Sequence, residues 1–209
     1  MTDDVAEHAA RFDEKASEYD DGDHSPEYRD CRDLVIEHAA VDGDDVVLDL
    51  GTGTGALALA LASAADRVIG RDVSEGMLEQ ARKKAADDGI ENVDFGRGRF
   101  REPNLPDDED VDVIVSNFAM HHLSDAEKRD AIDVIAGLGP DRFVLGDVML
   151  FGEADPEEPF YSPAVDDPAT VGVLADALTD AGFALTAVER VHEQVGVLVA
   201  ERATGDDHV

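Results

Sequence analysis

The sequence predicts an α/β fold: a doubly wound, seven-stranded, mostly parallel sheet with an antiparallel C-terminal strand hairpin. Three observations carry this expectation. The first is Val46-Val47-Leu48-Asp49-Leu50 followed by Gly51, Gly53 and Gly55. A short run rich in β-branched apolar residues reads as a strand buried on both faces. The glycines let the backbone turn sharply and approach a ligand, because no Cβ stands in the way, and Ala56 to Ala62 then supplies strong helix formers. The second is the alternation of such strands with helical patterns, which favours parallel strands joined by crossover helices. The third is the pair Phe183–His192 and Val195–Arg202, joined by a turn too tight for a crossover and therefore antiparallel. At 209 residues the chain suits one domain with a sizeable core.

The remaining elements follow in order. Val5, Ala9, Phe12, Ala16 and Tyr19 recur at helical spacing over residues 2 to 20, and Asp21-Gly22-Asp23 breaks that helix. Ser25-Pro26-Glu27 opens a second helix running to about Ala40. Arg67 to Asp72 reads as the second strand, and Ser74 caps a helix that buries Met77 and Leu78. Asn92 to Phe95 is a third strand and Val111 to Asn117 a fourth. Ser124 and Glu127 form a capping box for a helix reaching Ala136. Arg142 to Val148 is the fifth strand, and Ala169 to Asp180 the last helix. Between these two, Met149 to Asp167 is a long, proline-bearing loop of the kind that serves as a lid or binding loop. Thr204 to Val209 is expected to be a disordered acidic tail. Residues 1–43 are thus expected to form an N-terminal helical segment, and residues 44–203 the ligand-binding domain.

The net charge of −33 comes from 50 acidic against 17 basic residues, only four of them lysines (Lys15, Lys83, Lys84, Lys128). With 43% hydrophobic content this is a folded acidic chain, and its composition resembles that of proteins from extreme halophiles. In molar salt the Debye length falls to ~3 Å, so self-repulsion is screened. The charge argues against a nucleic-acid partner in ordinary buffer and less so in molar salt, so nucleic acid stays as the weaker alternative. A single cysteine, Cys31, leaves no internal disulfide. With no apolar leader or long hydrophobic span, a soluble cytoplasmic protein with no membrane partner is expected. The oligomeric state is not legible.

The glycine turn fits two ligand classes. Gly51, Gly53 and Ala56 satisfy a dinucleotide fingerprint. Asp49 discriminates: Asp49-x-Gly51-x-Gly53-x-Gly55 resembles the first motif of class I S-adenosylmethionine-dependent methyltransferases. That resemblance implies a Rossmann-like fold and S-adenosylmethionine as cofactor, its amino acid end held by Asp49, Gly51, Thr52, Gly53 and Gly55. Asp72, twenty-one residues after Gly51, suits the two ribose hydroxyls of an adenosine, in NAD as well. Asp72-Val73-Ser74-Glu75-Gly76-Met77-Leu78 resembles the family's second motif, placing Val73 and Met77 beside the nucleoside. Gly98-Arg99-Phe100 departs from the family's usual Gly-Asp, since Arg99 has donors only. Either a backbone carbonyl or a neighbouring carboxylate meets the adenine amine, or Arg99 stacks on the ring; Phe100 packs on the adenine or in the core.

Phe12-Asp13 and Tyr19-Asp20 resemble the opening of small-molecule members of this superfamily, which implies that residues 1–43 cover the site and puts Tyr19 near the acceptor; the alternative is an amphipathic helix packing on the core. The ending Asn117-Phe118-Ala119-Met120-His121-His122-Leu123 resembles the strand end beside the transferred methyl. The Asn/Asp-Pro-Pro-Tyr/Phe tetrapeptide of amino-directed enzymes is absent. A base is needed only for an acceptor that must lose a proton, and His121 or His122 suits that role. Adjacent histidines on one turn diverge, so no metal site is expected. Phe151, Phe160 and Tyr161, on the loop after the fifth strand, are candidates for the acceptor wall. The expected activity is methyl transfer to a small molecule. The alternatives are an RNA or protein acceptor, a cofactor-binding subunit without activity, and an NAD-linked oxidoreductase, the last disfavoured by Asp49 and the terminal hairpin.

Overall fold

The computed structural model describes residues 2–20, 25–106, 109–152 and 159–203. Asp21-Gly22-Asp23, part of the long loop and the acidic tail lie outside these. Seven strands form one sheet in the order β3-β2-β1-β4-β5-β7-β6. They are β1 (Val46–Leu50), β2 (Arg67–Asp72), β3 (Val93–Arg97), β4 (Val113–Asn117), β5 (Arg142–Val148), β6 (Phe183–His192) and β7 (Val195–Arg202). The first five are parallel, while β7 inserts antiparallel between β5 and β6. The helices are α1 (Thr2–Lys15), α2 (Pro26–Ala39), α3 (Ala56–Leu61), α4 (Glu75–Asp88), α5 (Asp125–Leu138) and α6 (Val171–Asp180).

Two apolar layers sandwich the sheet. On one face Ile132 and Ile135 of α5 and Leu174 and Leu178 of α6 pack on Leu48, Ile114 and Leu145. On the other, Cys31 and Val35 of α2, Leu57 of α3 and Leu78 and Ala81 of α4 pack on Val47, Val68 and Val115. Strands β1, β4 and β5 supply side chains to both, which explains their near-continuous hydrophobic runs. Among the described residues no helix is long and apolar enough to cross a membrane.

Several boundaries differ from the sequence reading, each for a local reason. The fourth strand begins at Val113 because Asp112 acts as a brace: its Oδ2 accepts the Val46 N–H at 2.8 Å and its carbonyl the Asp141 N–H at 2.9 Å. The last helix begins at Val171 because the Thr170 side chain caps it. The first helix stops at Lys15, and residues 16–20 form a turn instead. That turn is tied down by polar contacts. Asp13 Oδ1 accepts from the Ser74 hydroxyl at 2.6 Å and from the Gly76 N–H at 2.9 Å. Asp20 accepts from the Thr54 hydroxyl at 2.8 Å and pairs with Lys84 at 2.9 Å. α1 and its turn therefore lie across the start of α4 and the glycine turn.

Candidate active site

The strand order reverses between β1 and β4, and ligands of doubly wound sheets bind at the carboxyl ends of strands beside such a switch. A cavity of about 850 Å³ lies there. Its floor is the glycine turn. Gly51, Gly53 and Gly55 adopt φ of 74°, 53° and 84°, the left-handed region that costs a side-chain-bearing residue about 1–2 kcal/mol. A Cβ on Gly51 would stand 2.3 Å from that of Ala119, whereas one on Gly53 would meet nothing within 4 Å. Gly51 thus lets the β1 and β4 ends approach, and Gly53 keeps space free at the cavity wall.

Asp49 is buried on this floor. Its Oδ2 accepts the Thr52 hydroxyl at 2.6 Å, while Oδ1 is enclosed with no partner of hydrogen-bond geometry. Burial pushes its pKa up to about 7. A cationic donor reaching Oδ1 would satisfy the orphaned oxygen and restore the charge. Asp72 also lines the cavity. Its Oδ2 accepts the Gly53 N–H at 2.8 Å and its Oδ1 the Ser74 N–H at 2.9 Å, so it braces the glycine turn. Each carboxylate oxygen keeps a further lone pair for a ligand hydroxyl. Burial raises the Asp72 pKa, against the pull of these N–H donors.

Val73, Met77, Gly98, Arg99 and Phe100 all border the same space. Arg99 turns its guanidinium to Glu102 at 2.8 Å. Phe100 is buried in the core while still reaching the cavity wall, so the two placements considered for it coincide. Tyr19, on the turn after α1, lines the cavity too.

The end of β4 forms the opposite wall. Both amide atoms of Asn117 are enclosed without a hydrogen bond of full geometry, the Tyr28 hydroxyl being the nearby polar group. Phe118 holds φ at 54°, a strained conformation for an aromatic residue, and its ring faces the cavity. A 3₁₀ turn, Met120–His122, follows. It separates the two histidines. His121 is buried behind the wall, its Nδ1 2.5 Å from Asp147 Oδ1 and its N–H donating to Asp147 Oδ2 at 2.9 Å. His122 is on the wall, its Nδ1 2.7 Å from Asp166 Oδ1.

The ring centroids are 4.0 Å apart, too close for both to be charged. Burial works against charge on His121, but the Asp147 carboxylate and its hydrogen bond outweigh this and raise the pKa. Burial first, then the charge on His121 and the nearness of the His8 ring, lower that of His122. Asp166 is held low despite its burial, with the Ser162 N–H donating to it at 2.8 Å. The proton therefore resides on His121. A carboxylate can only accept, so the neutral His122 keeps N–H at Nδ1 and a lone pair at Nε2.

One buried group that the sequence reading passed over, Lys128, supports this pair. Lys128 donates to the carbonyls of Leu123 and Asp167, and the Asp167 N–H donates to His121 O at 2.8 Å. These contacts fix the Pro163–Asp167 segment, which does line the cavity. The loop's aromatics, expected at the acceptor wall, lie outside this lining. Phe151 and Phe160 follow the β6–β7 turn through Phe151 N–H to Glu193 O (3.2 Å) and Phe160 N–H to Gln194 Oε1 (3.0 Å). Phe160 stands behind Phe118 at 6.2 Å, Phe151 packs against Gly196, and Tyr161 is outside the lining. Among the described residues one group could converge on an ion: His121, His122 and Asp166, with ligand atoms within 4.8 Å of one another. Both Nδ1 atoms are already engaged by carboxylates.

Comparison with known proteins gives this site a family context. Residues 47–138, which hold the glycine turn, Asp72 and both histidines, match the family model described as a methyltransferase domain. The uncharacterized methyltransferase YcgJ of Bacillus subtilis is 35% identical over 135 residues, 64% of this chain and 50% of YcgJ. The chain spans about half the length of the curated relatives it matches. The crystal structure of YcgJ aligns with a TM-score of 0.65 at 27% identity, over 76% of this chain and 70% of that one. Magnesium protoporphyrin IX methyltransferase (ChlM) from Synechocystis, crystallised with bound S-adenosylmethionine, shares the fold with a TM-score of 0.74 at 20% identity, over 96% and 97% of the two chains. Residues 47–138 thus resemble a methyltransferase domain, and the chain shares the fold of these solved structures.

Proposed function

We propose that this domain makes the chain an S-adenosylmethionine-dependent methyltransferase acting on a small molecule. One observation carries the reading: a single cavity joins the orphaned Asp49 carboxyl, Gly53 and Asp72 at one end to neutral His122 at the other. Asp49 Oδ1 suits the cofactor's ammonium, the unobstructed space at Gly53 its amino acid backbone, and Asp72 its ribose. Gly98, Arg99 and Phe100 border the adenine, and Asn117 faces the methyl. When bound, the cofactor supplies an electrophilic methyl on a sulfonium. The residues around it contribute proximity and a dry cavity. His122 Nε2 takes the proton of an acceptor that must lose one, and Asp166 keeps the imidazole in the required tautomer. ChlM, of the same fold, is named for a porphyrin acceptor, which fits a small-molecule reading.

The proposal extends to context. Residues 1–43 act as a helical cover, residues 44–203 as the catalytic domain, and the net charge of −33 suits a halophile's cytoplasm.

Calorimetric titration with S-adenosylmethionine, S-adenosylhomocysteine and NAD, in ~2–3 M KCl so that self-repulsion is screened, tests the reading. Micromolar binding of both sulfur ligands is expected, and Asp72→Ala weakens it by about 10²–10⁴-fold through the loss of two charge-assisted hydrogen bonds. No binding, or binding of NAD alone, sinks the proposal.

Asp49 gives a second expected result. Its folded pKa of about 7 exceeds the ordinary 3.8, so the stability it lends the unliganded fold is full below 3.8 and lost as pH rises towards 7. The ammonium favours the ionised form. Affinity for S-adenosylmethionine therefore rises about tenfold per pH unit as pH approaches 7 from below, then levels off. Titrations across this range in buffers of differing ionisation enthalpy detect the proton released; pH-independent affinity would show that Asp49 does not meet the ammonium.

A further inference from the structure

We infer that the acceptor carries an anionic group, carboxylate or phosphonate, received by Arg11. This rests on the methyltransferase reading and adds a substrate class to it. Three arginines border the cavity, and two are already neutralised: Arg99 by Glu102 at 2.8 Å and Arg101 by Glu127 at 2.9 Å. Arg11 differs. Its Nε is enclosed with no hydrogen-bond acceptor, and among the described residues no carboxylate lies within ion-pair distance of it. In a chain with 50 acidic residues, an arginine that borders the cavity without a carboxylate partner stands apart. An enclosed, unsatisfied charged donor is costly unless a ligand completes it.

Its surroundings hold the fork in place. The guanidinium carbon stands 5.1 Å from the centre of the Phe12 ring, and Nη2 is 3.5 Å from His8 Nδ1. The His8 ring in turn lies 4.5 Å from that of His122. One imidazole therefore separates the anion receptor from the proposed base. An acceptor spanning the two needs its reacting atom only a few bonds from its anionic group, as in a hydroxy acid built on one ring. Planar, bidentate recognition of such oxyanions is what a guanidinium does best. Glu7 and Glu14, on the same helix, and Asp166 also border the cavity; none is within ion-pair distance of Arg11, and the Ser162 N–H and His122 already occupy Asp166.

The test uses benzoate and phenylphosphonate as probes and benzamide as the neutral counterpart of benzoate, each titrated into the full chain saturated with S-adenosylhomocysteine. At least one anion binds roughly tenfold or more tightly than benzamide, the factor expected of a charge-assisted pair. Arg11→Gln removes that preference, Arg11→Lys retains part of it, and S-adenosylhomocysteine affinity stays unchanged in both, which certifies the fold. Equal binding of anions and benzamide, absence of anion binding at millimolar concentration, or a preference that survives Arg11→Gln overturns the inference. Failure of S-adenosylhomocysteine itself to bind is a separate result, which removes the methyltransferase reading and this inference together.

Discussion

Gly51→Ala melts far below the parent protein, while Gly53→Ala, two residues away in the same turn, stays close to it. Both positions have positive φ, so both variants carry the left-handed penalty of about 1–2 kcal/mol. Only Gly51 adds a collision, with its new Cβ 2.3 Å from that of Ala119. Overpacking of that kind costs a further ~1–3 kcal/mol. For a domain of this size, each kcal/mol is worth roughly 2–4 °C. The Gly51 variant should therefore lose about 4–20 °C and the Gly53 variant about 2–8 °C. Cofactor binding ranks differently: Gly53→Ala puts a methyl into the space proposed for the amino acid moiety and weakens binding even though the fold survives. Thermal melts with and without S-adenosylhomocysteine check both statements. Equal melting of the two variants would mean that the β1 and β4 ends are not packed as described.

This contrast marks the boundary of what the sequence makes legible. The cofactor end is built by residues close in sequence: Asp49 through Gly55 act within one turn, and Asp72 reaches them because β2 pairs with β1 in parallel register. Spacing and residue type therefore carry the information. The opposite end is assembled by tertiary contacts. Asp166 meets His122 across 44 residues, and Arg11 comes from a helix laid over the site through Asp13 and Ser74. No local pattern announces either contact. Phe151, Phe160 and Tyr161 stand outside the cavity lining for a related reason. At Phe151 and Phe160 the loop follows the β6–β7 turn, while Pro163–Asp167 of the same loop reaches the cavity. Asp147 is the intermediate case, since a carboxylate inside the apolar run Phe143–Val148 signals a buried partner. The identity of that partner, His121, needed the fold.

The pairing of Asp147 with His121 also sets the largest expected effect on activity. With an acceptor that the parent enzyme turns over, His122→Gln lowers kcat by about 10²–10⁴-fold, the range for loss of a positioned base, and leaves S-adenosylhomocysteine affinity nearly unchanged. The pH profile supplies the sign. Reaction requires neutral His122, so the rate falls as pH drops through its pKa. Burial and the His121 charge hold that pKa below 6.5, and the rate is therefore flat through neutrality and declines only well below 6.5. In His121→Gln the main charge opposing protonation of His122 is gone, and the acid limb moves up towards 6.5 while the base itself is retained. A merely structural His121 would change the plateau and leave the limb where it was. An undiminished rate in His122→Gln would mean that proximity alone drives the transfer, with an acceptor already ionised or neutral and nucleophilic when it enters the cavity.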